Sequence, residues 1–302
     1  MRGSGLNLNG VLGKIARGAA MATAVGAGAA GYAFLEARLY RTRSYTVPVL
    51  HPGASRITIL QVSDLHLRLR RQRLIRFLES LEGHPQDLVL ATGDLLGDPE
   101  AVGECLRLLN GLEAKGGRYF VFGSSDYYAP TLKSYLDYFL GRRRHGTARN
   151  PTRAFRHGLT GAGWQDMNNT TVRTTVNGTS IQLTGMDDPW LHREDRSLLV
   201  READADTAVL VVHDPAPFED AFEAGYDLVI AGHTHGGQVR LPLIGAIVSN
   251  STVPPRLARG LSNVDGSWLF VTPGLGTGKY APFRFLCRPE ASILHLVPKE
   301  PT

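Results

Sequence analysis

Four short runs in this chain combine carboxylates and imidazoles at spacings that can grip a metal ion. They are Asp64-Leu65-His66, Gly93-Asp94, a single His213, and Gly232-His233-Thr234-His235-Gly236-Gly237. Carboxylate plus imidazole suits borderline cations such as Mn, Fe or Zn. Residues two apart, as in Asp-x-His and His-x-His, project the same way from extended backbone. The glycines around 232–237 leave room for sharp turns and for close approach of a phosphate. Taken singly, most of these runs have ordinary explanations. An Asp-x-His alone is a weak signal, a Gly-Asp after a strand is often a turn, and a lone histidine is more often a core or surface residue. The GHTHGG run is stronger by itself. The ordered set carries the case for a metal site, because every member follows an apolar run.

Those apolar runs are the elements that must position the ligands. Arg56–Val62, Asp87–Thr92, Arg118–Phe122, Ala208–Val212 and Leu228–Ala231 read as strands. Leu74–Leu81 and Ala101–Leu112 have helical spacing. Thr170–Thr184 reads as a hairpin turning at Asn177-Gly178. Val239–Leu241, Trp268–Val271 and Ser292–Val297 complete the expected strands. The alternation predicts an α/β fold of the four-layer α+β type: two packed sheets with helices outside. Functional residues then sit at strand ends, where a rigid sheet fixes loop positions.

Residues 127–165 break this rhythm and read as an inserted cap. Leu132–Leu140 is compatible with an amphipathic helix, followed by Arg142, Arg143, Arg144, Arg149, Arg153 and Arg156. Tyr127, Tyr128, Tyr135, Tyr138 and Phe139 would line an acyl groove or simply pack the cap onto the core.

The net charge of +5 resides at the N-terminus. Residues 1–45 hold six basic residues against Glu36 alone, and the remainder balances 27 basic with 27 acidic residues. A neutral domain argues against a nucleic-acid partner. Gly18–Leu35 is an uncharged Ala/Gly-rich stretch flanked by basic residues. It reads as an uncleaved membrane anchor, with a cleaved export signal or a soluble helix as alternatives. No twin arginine precedes it, and charge does not reveal which side of the membrane the domain occupies. Residues 1–45 are therefore expected to be anchor and linker, and residues 46–302 the folded domain. Cys105 and Cys287 have no CxxC partner and read as buried apolar residues.

Over residues 56–298 the chain resembles the calcineurin-like metallophosphoesterases. The GHTHGGQ form and the ending GLGTGKYAPFRFLCRPE resemble the bacterial membrane-linked branch, a broad group that includes UDP-2,3-diacylglucosamine pyrophosphatases. The resemblance implies a metallophosphatase-like pair of mixed β-sheets and two divalent metal ions. Asp64, His66 and His235 would hold the first ion, His213 and His233 the second, and Asp94 would bridge them. The family usually has Gly-Asn-His-Asp/Glu after the third strand, and this chain has Gly123-Ser124-Ser125-Asp126. Ser124 would then replace an amide ligand, and Ser125 a proton-donating histidine. A hydroxyl is a weaker ligand and a poor general acid at neutral pH. Candidate catalytic residues are Asp94, Asp126 and His192, the last as a substitute proton donor. The expected activity is hydrolysis of a phosphodiester, pyrophosphate or phosphomonoester in a small molecule, lipid or envelope precursor at the cell membrane. The alternative is a catalytically weak metal- or phosphate-binding membrane protein.

Overall fold

Successive side chains on a strand point to opposite faces, and in this protein both faces of the central strands are covered. Ile57 and Ile59, Leu88 and Leu90, and Tyr119 and Val121 face a second sheet. Leu60 and Val62, Val89 and Ala91, and Phe120 and Phe122 face helices. That explains why these strands read as continuous apolar runs. The computed structural model of the protein describes residues 8–133 and 148–300.

The chain starts with α1 (Leu8–Glu36), β1 (Arg41–Leu50), β2 (Ile57–Val62), α2 (Gln72–Glu79), β3 (Leu88–Thr92) and α3 (Val102–Asn110). It continues through β4 (Arg118–Val121), α4 (Ser124–Tyr127), α5 (Thr152–Gly161), β5 (Gln165–Asp166), β6 (Thr170–Val176) and β7 (Thr179–Gly185). Next come β8 (Thr207–Val211), α6 (Phe218–Glu223), β9 (Leu228–Ala231), β10 (Arg240–Leu241) and β11 (Gly245–Ala246). The last strands are β12 (Gly260–Val264), β13 (Ser267–Val271) and β14 (Glu290–Pro298).

One mixed sheet has the order β1-β14-β2-β3-β4-β5 and the other β12-β13-β9-β8-β7-β6. Strands β2, β3 and β4 run parallel, as do β7, β8, β9 and β13. Their C-terminal ends therefore collect at one edge of the sandwich, where the site is built. Helices α2, α3 and α5 cover the first sheet, and α6 covers the second. The expected four-layer arrangement is the one observed. The β6–β7 hairpin turns at Asn177 and Gly178, both with positive φ, as its two-residue turn requires.

Three sequence expectations need revision. The end of the 1–45 segment, expected as linker, belongs to β1, which pairs in parallel with β14 from Arg41 onward. It is ordered because Val47, Val49 and Leu50 are buried between the sheets. The domain thus begins inside the stretch assigned to the anchor.

Part of the supposed cap is core. Phe155 and Leu159 of α5, with Trp164, pack into the apolar layer that holds Phe120 and Phe122. Phe155 stacks on Phe122 at 5.8 Å. The excursion proper leaves at Ala129 and returns at Ala148, whose carbonyl accepts from Ala129 N–H at 2.8 Å. Apart from Leu132 and Lys133, the expected Leu132–Leu140 helix lies outside the described residues, as do Tyr135, Tyr138, Phe139 and Arg142 to Arg144. Tyr127 serves packing: its hydroxyl donates to Asp187 at 2.7 Å, and Arg193 lies over its ring.

The Ala/Gly-rich stretch is helical, as α1, but among the described residues no helix is long and apolar enough to cross a membrane. Alanine and glycine contribute too little apolar area per turn. Helix α1 touches the domain through its last turns, where Ala33, Glu36 and Ala37 are buried. Glu36 accepts from the Leu286 N–H at 2.7 Å.

Candidate metal centre

Five of the six Asp and His ligands proposed leave their strands on sharp turns. Asp64, His66, Asp94, His233 and His235 all have positive φ, between 39° and 66°. Non-glycine residues rarely adopt this conformation, and such strain concentrates at functional sites. Neighbouring loops hold these turns in place. The Asp64 and His66 N–H groups donate to Gly93 and Asp94 carbonyls at 2.9 Å. Gly123 has no alternative: a Cβ there would lie 2.5 Å from Asp94 Oδ1.

The side chains meet in two overlapping groups, Asp64 with His66 and His235, and Asp64 with Asp94 and His213, all buried. Nε2 of His66 lies 3.1 Å from Nε2 of His235, and His235 Nε2 lies 3.7 Å from Asp64 Oδ1. Asp94 stands between two histidines, with Oδ2 3.5 Å from His66 Nε2 and Oδ1 3.5 Å from His213 Nε2. His233 Nδ1 faces His213 Nε2 at 3.3 Å.

The surrounding contacts suit cation binding. His213 Nδ1–H donates to the Thr92 carbonyl at 2.8 Å, which aims its Nε2 at the cluster. The Asn250 carbonyl lies 3.1 Å from His233 Nε2 and takes its N–H, which leaves Nδ1 free in the same way. A carbonyl behind a histidine is the usual device for orienting a ligand. Asp64 Oδ2 accepts from the Ser63 hydroxyl at 2.7 Å, while Oδ1 is buried without any hydrogen-bond partner. A buried carboxylate oxygen left bare costs several kcal/mol, on the order of a lost charged hydrogen bond. A cation at this position removes that cost.

Two of the histidines are held in the neutral form. Burial holds His66 below its ordinary range, against the pull of Asp94 and Asp64. Burial, with His66 and Arg284, drives His235 far down. Both rings are therefore neutral, the form that binds metal. Burial also opposes charge on Asp94 and His213. Even so, His213 and His66 pull Asp94 well below the carboxylate range, and Asp94 and Asp64 carry His213 well above the imidazole range. A pair locked by mutual charge in this way is one that a dication can take over.

The structure brings six of the expected metal-binding residues together: Asp64, His66, Asp94, His213, His233 and His235. It does not do so for Ser124, Asp126 and His192. Ser124 opens α4, is partly exposed, and its side chain makes no hydrogen bond to the cluster. Ser125 is the residue that enters. Its N–H donates to Asp94 Oδ1 at 2.7 Å, its hydroxyl donates to Oδ2 at 3.1 Å, and Oγ lies 3.3 Å from His66 Nδ1. The backbone turn at Gly123 points the second serine inward.

Asp126 is fully buried and joins neither group of candidate ligands. Its Oδ1 accepts the Leu95 and Leu96 N–H groups and its Oδ2 the Gly123 N–H, at 2.9–3.0 Å. Burial and then Asp94 push it up to about 7, against the Gly123 and Leu96 N–H groups. It clamps the two loops that carry Asp94 and Ser125. Asp126→Asn keeps acceptors for two N–H groups and sets an NH₂ against the third. We expect a loss of about 1–3 kcal/mol of stability with metal binding retained, measurable by urea unfolding. Lost turnover at unchanged stability would instead mean that Asp126 takes part in the chemistry.

His192 is exposed, in the left-handed conformation after a 3-10 turn, and joins neither group. Trp190 of the same turn reaches the site, its ring 5.4 Å from that of His233. Sequence reasoning missed further residues. Arg284 is fully buried and donates to the Pro273 and Gly276 carbonyls at 2.7 and 2.6 Å, beside His235 Nδ1 at 3.3 Å. Asp188, after β7, is fully buried, with Oδ1 accepting the Trp190 N–H and Oδ2 without a partner. Burial pushes its carboxyl well above the usual range, against the pull of His213. The Asp187-Asp188-Pro189 run after a strand was the available signal.

The chain is similar to several known proteins. The metallophosphoesterase YkuE of Bacillus subtilis (strain 168) is 27% identical over 302 residues, covering 96% of both chains. The phosphodiesterase YaeI of Escherichia coli (strain K12) is 33% identical over 130 residues, 43% of this chain and 46% of that one. Among solved structures, the phosphopantetheinyl hydrolase PptH of Mycobacterium tuberculosis aligns with a TM-score of 0.45 at 14% identity, covering 76% of this chain and 95% of that one. The family model for calcineurin-like phosphoesterases matches residues 57–237, the span from β2 through the last histidine of the cluster, and the chain belongs to that family.

Proposed function

We propose that this protein hydrolyses a phosphodiester, pyrophosphate or phosphomonoester bond with two divalent ions, Mn, Fe or Zn. Asp64, His66 and His235 would hold one ion, His213 and His233 the other, and Asp94 both. The observation that carries this reading is Asp94 lying between His66 and His213, one carboxylate oxygen toward each. Bound there, such ions supply Lewis acidity toward phosphoryl oxygens and acidify a water to near neutrality.

The protein's own groups do the rest. The Ser125 N–H and hydroxyl fix the Asp94 carboxylate so that both oxygens face imidazoles. Thr92 and Asn250 carbonyls hold two histidines in their ligand tautomers. Trp190 screens one side of His233 from water. With a serine at position 125, Asp188 is the buried carboxyl suited to keep a proton at its free Oδ2 and give it to a leaving group. The relative named a phosphodiesterase supports a diester substrate, and a lipid-borne phosphoester remains within the proposal.

The test is hydrolysis of bis(p-nitrophenyl) phosphate by the purified chain with Mn, Co or Zn added back after chelation. Turnover that appears with metal and disappears with chelator is expected. Tight metal binding without turnover on any aryl phosphodiester or monoester would favour the non-catalytic metal-binding alternative.

A further inference from the structure

A run of uncompensated arginines lies beside the site. Arg38, Arg68, Arg70, Arg73 and Arg76 line one cleft of about 470 Å³ between the end of α1 and the start of α2. Among the described residues none of the five has a salt bridge. Arg107, Arg156, Arg173, Arg196 and Arg201 elsewhere on the domain are each paired with a carboxylate. Arg71, in the same cleft, turns to Thr277, donating to its carbonyl and hydroxyl at 2.7 and 2.6 Å. Like charges held together without carboxylates call for an external anion.

A second exposed feature is apolar. The β10–β11 hairpin leaves Leu243 fully exposed, Ile244 72% exposed, and Ile247 and Val248 more than half exposed. Soluble surfaces seldom show four such side chains within six residues. The hairpin is held close against the metal loop, since a Cβ on Gly237 would run into Ala246.

The two features are joined. Arg240 N–H donates to the Phe285 carbonyl at 2.9 Å. The Phe285 ring meets Tyr32 of α1 edge-on at 5.9 Å, and Phe34 meets Phe283 at 6.1 Å. Four residues after Phe34, Arg38 enters the arginine cleft, which Pro282 also lines. One surface therefore runs from bare apolar hairpin, across α1, to bare arginines. Both ends begin within a few residues of metal-site histidines, His235 and His66.

We propose that this surface docks on an anionic lipid bilayer, with the Leu243–Val248 hairpin tip in the apolar boundary and the arginines against phosphate headgroups. Charge complementarity selects this occupant: a second copy or an apolar partner would leave the arginines unpaired, whereas an anionic membrane satisfies both ends at once. Docking stands on the surface alone. That it brings a lipid-borne phosphoester to the metals rests on the phosphoesterase reading above.

The experiment is co-sedimentation of the full-length chain with phosphatidylcholine vesicles, with and without phosphatidylglycerol. Binding should be stronger with phosphatidylglycerol and should weaken with salt. Changing Arg70, Arg73 and Arg76 together to Gln should lower binding to anionic vesicles roughly a hundredfold, at about a fivefold effect per arginine, and leave binding to phosphatidylcholine unchanged. Leu243→Asp with Ile244→Asp should lower binding to both vesicles roughly tenfold or more. Both variants should hydrolyse soluble bis(p-nitrophenyl) phosphate like the unaltered chain. If both variants bind vesicles as the unaltered chain does, the proposal is overturned. A dimer in solution that Leu243→Asp with Ile244→Asp splits, without vesicle binding, also overturns it, in favour of a second copy. If docking behaves as expected but the unaltered chain hydrolyses no aryl phosphate, docking stands and the phosphoesterase reading falls.

Discussion

Asp94→Asn is expected to abolish metal-dependent turnover and to loosen both ions. Each Asp94 oxygen has two neighbours, a Ser125 donor and an imidazole Nε2. An asparagine matches the shape but not the charge, and its NH₂ must point a donor at one side of the cluster. Removing one partner from a buried charged set costs about 3–5 kcal/mol. At 1.36 kcal/mol per decade, that corresponds to a loss of roughly 10²–10⁴ in rate if the cost falls on the transition state. Metal content and steady-state aryl hydrolysis decide the matter. Two tightly held ions with full turnover would sink the bridging role. By contrast, His66→Ala and His235→Ala should weaken mainly one ion, because both belong to the group around Asp64 Oδ1. Equal loss of both ions in these variants would point to a single-metal or fully cooperative site.

The second large effect is a gain. Ser124→Asn with Ser125→His should raise turnover, most for substrates with poor leaving groups. Ser125 already faces Asp94 and His66, so an imidazole at 125 starts from the correct turn. Its unperturbed pKa of about 6.5 suits proton transfer near neutral pH. General-acid help is worth roughly 10²–10⁴-fold, and good leaving groups need little of it. The comparison is a series of aryl phosphodiesters of rising leaving-group pKa at saturating metal. A gain that grows along the series supports the restored donor. A uniform response would mean that no donor was restored and would direct attention to Asp188→Asn. Because the Ser124 side chain makes no hydrogen bond to the cluster, Ser125→His alone should carry most of the gain. Falling activity throughout would mean that the serines are fitted to this site, with the Ser125 hydroxyl needed on Asp94.

The sequence by itself determined the sheets and the principal candidate ligands. Near-continuous apolar runs over 57–62, 88–92, 118–121, 207–211 and 228–231 leave few choices but strands buried on both faces. The Asp and His residues just beyond them can then only gather at one edge, because the parallel strands all end there. What remained hidden depends on partners far away in the chain. β1 looked like linker because it becomes a strand only by pairing with β14, some 250 residues later. Helix α5 looked like cap because its weak pattern is decided by Phe122 and Trp164 on other elements. Which of two adjacent serines faces the metals is set by the turn at Gly123, and the role of Asp126 by three N–H groups from two loops. Arg284 carries no local signature, and the Asp187-Asp188-Pro189 run does not reveal that Asp188 is buried, since both burials exist only once the sandwich closes. The same holds for the arginines and the hairpin, 170 residues apart and joined into one surface by α1 and residues 283–285. Local periodicity is written in neighbouring residues, whereas burial, tautomer and shared surface belong to contacts that only the folded chain creates.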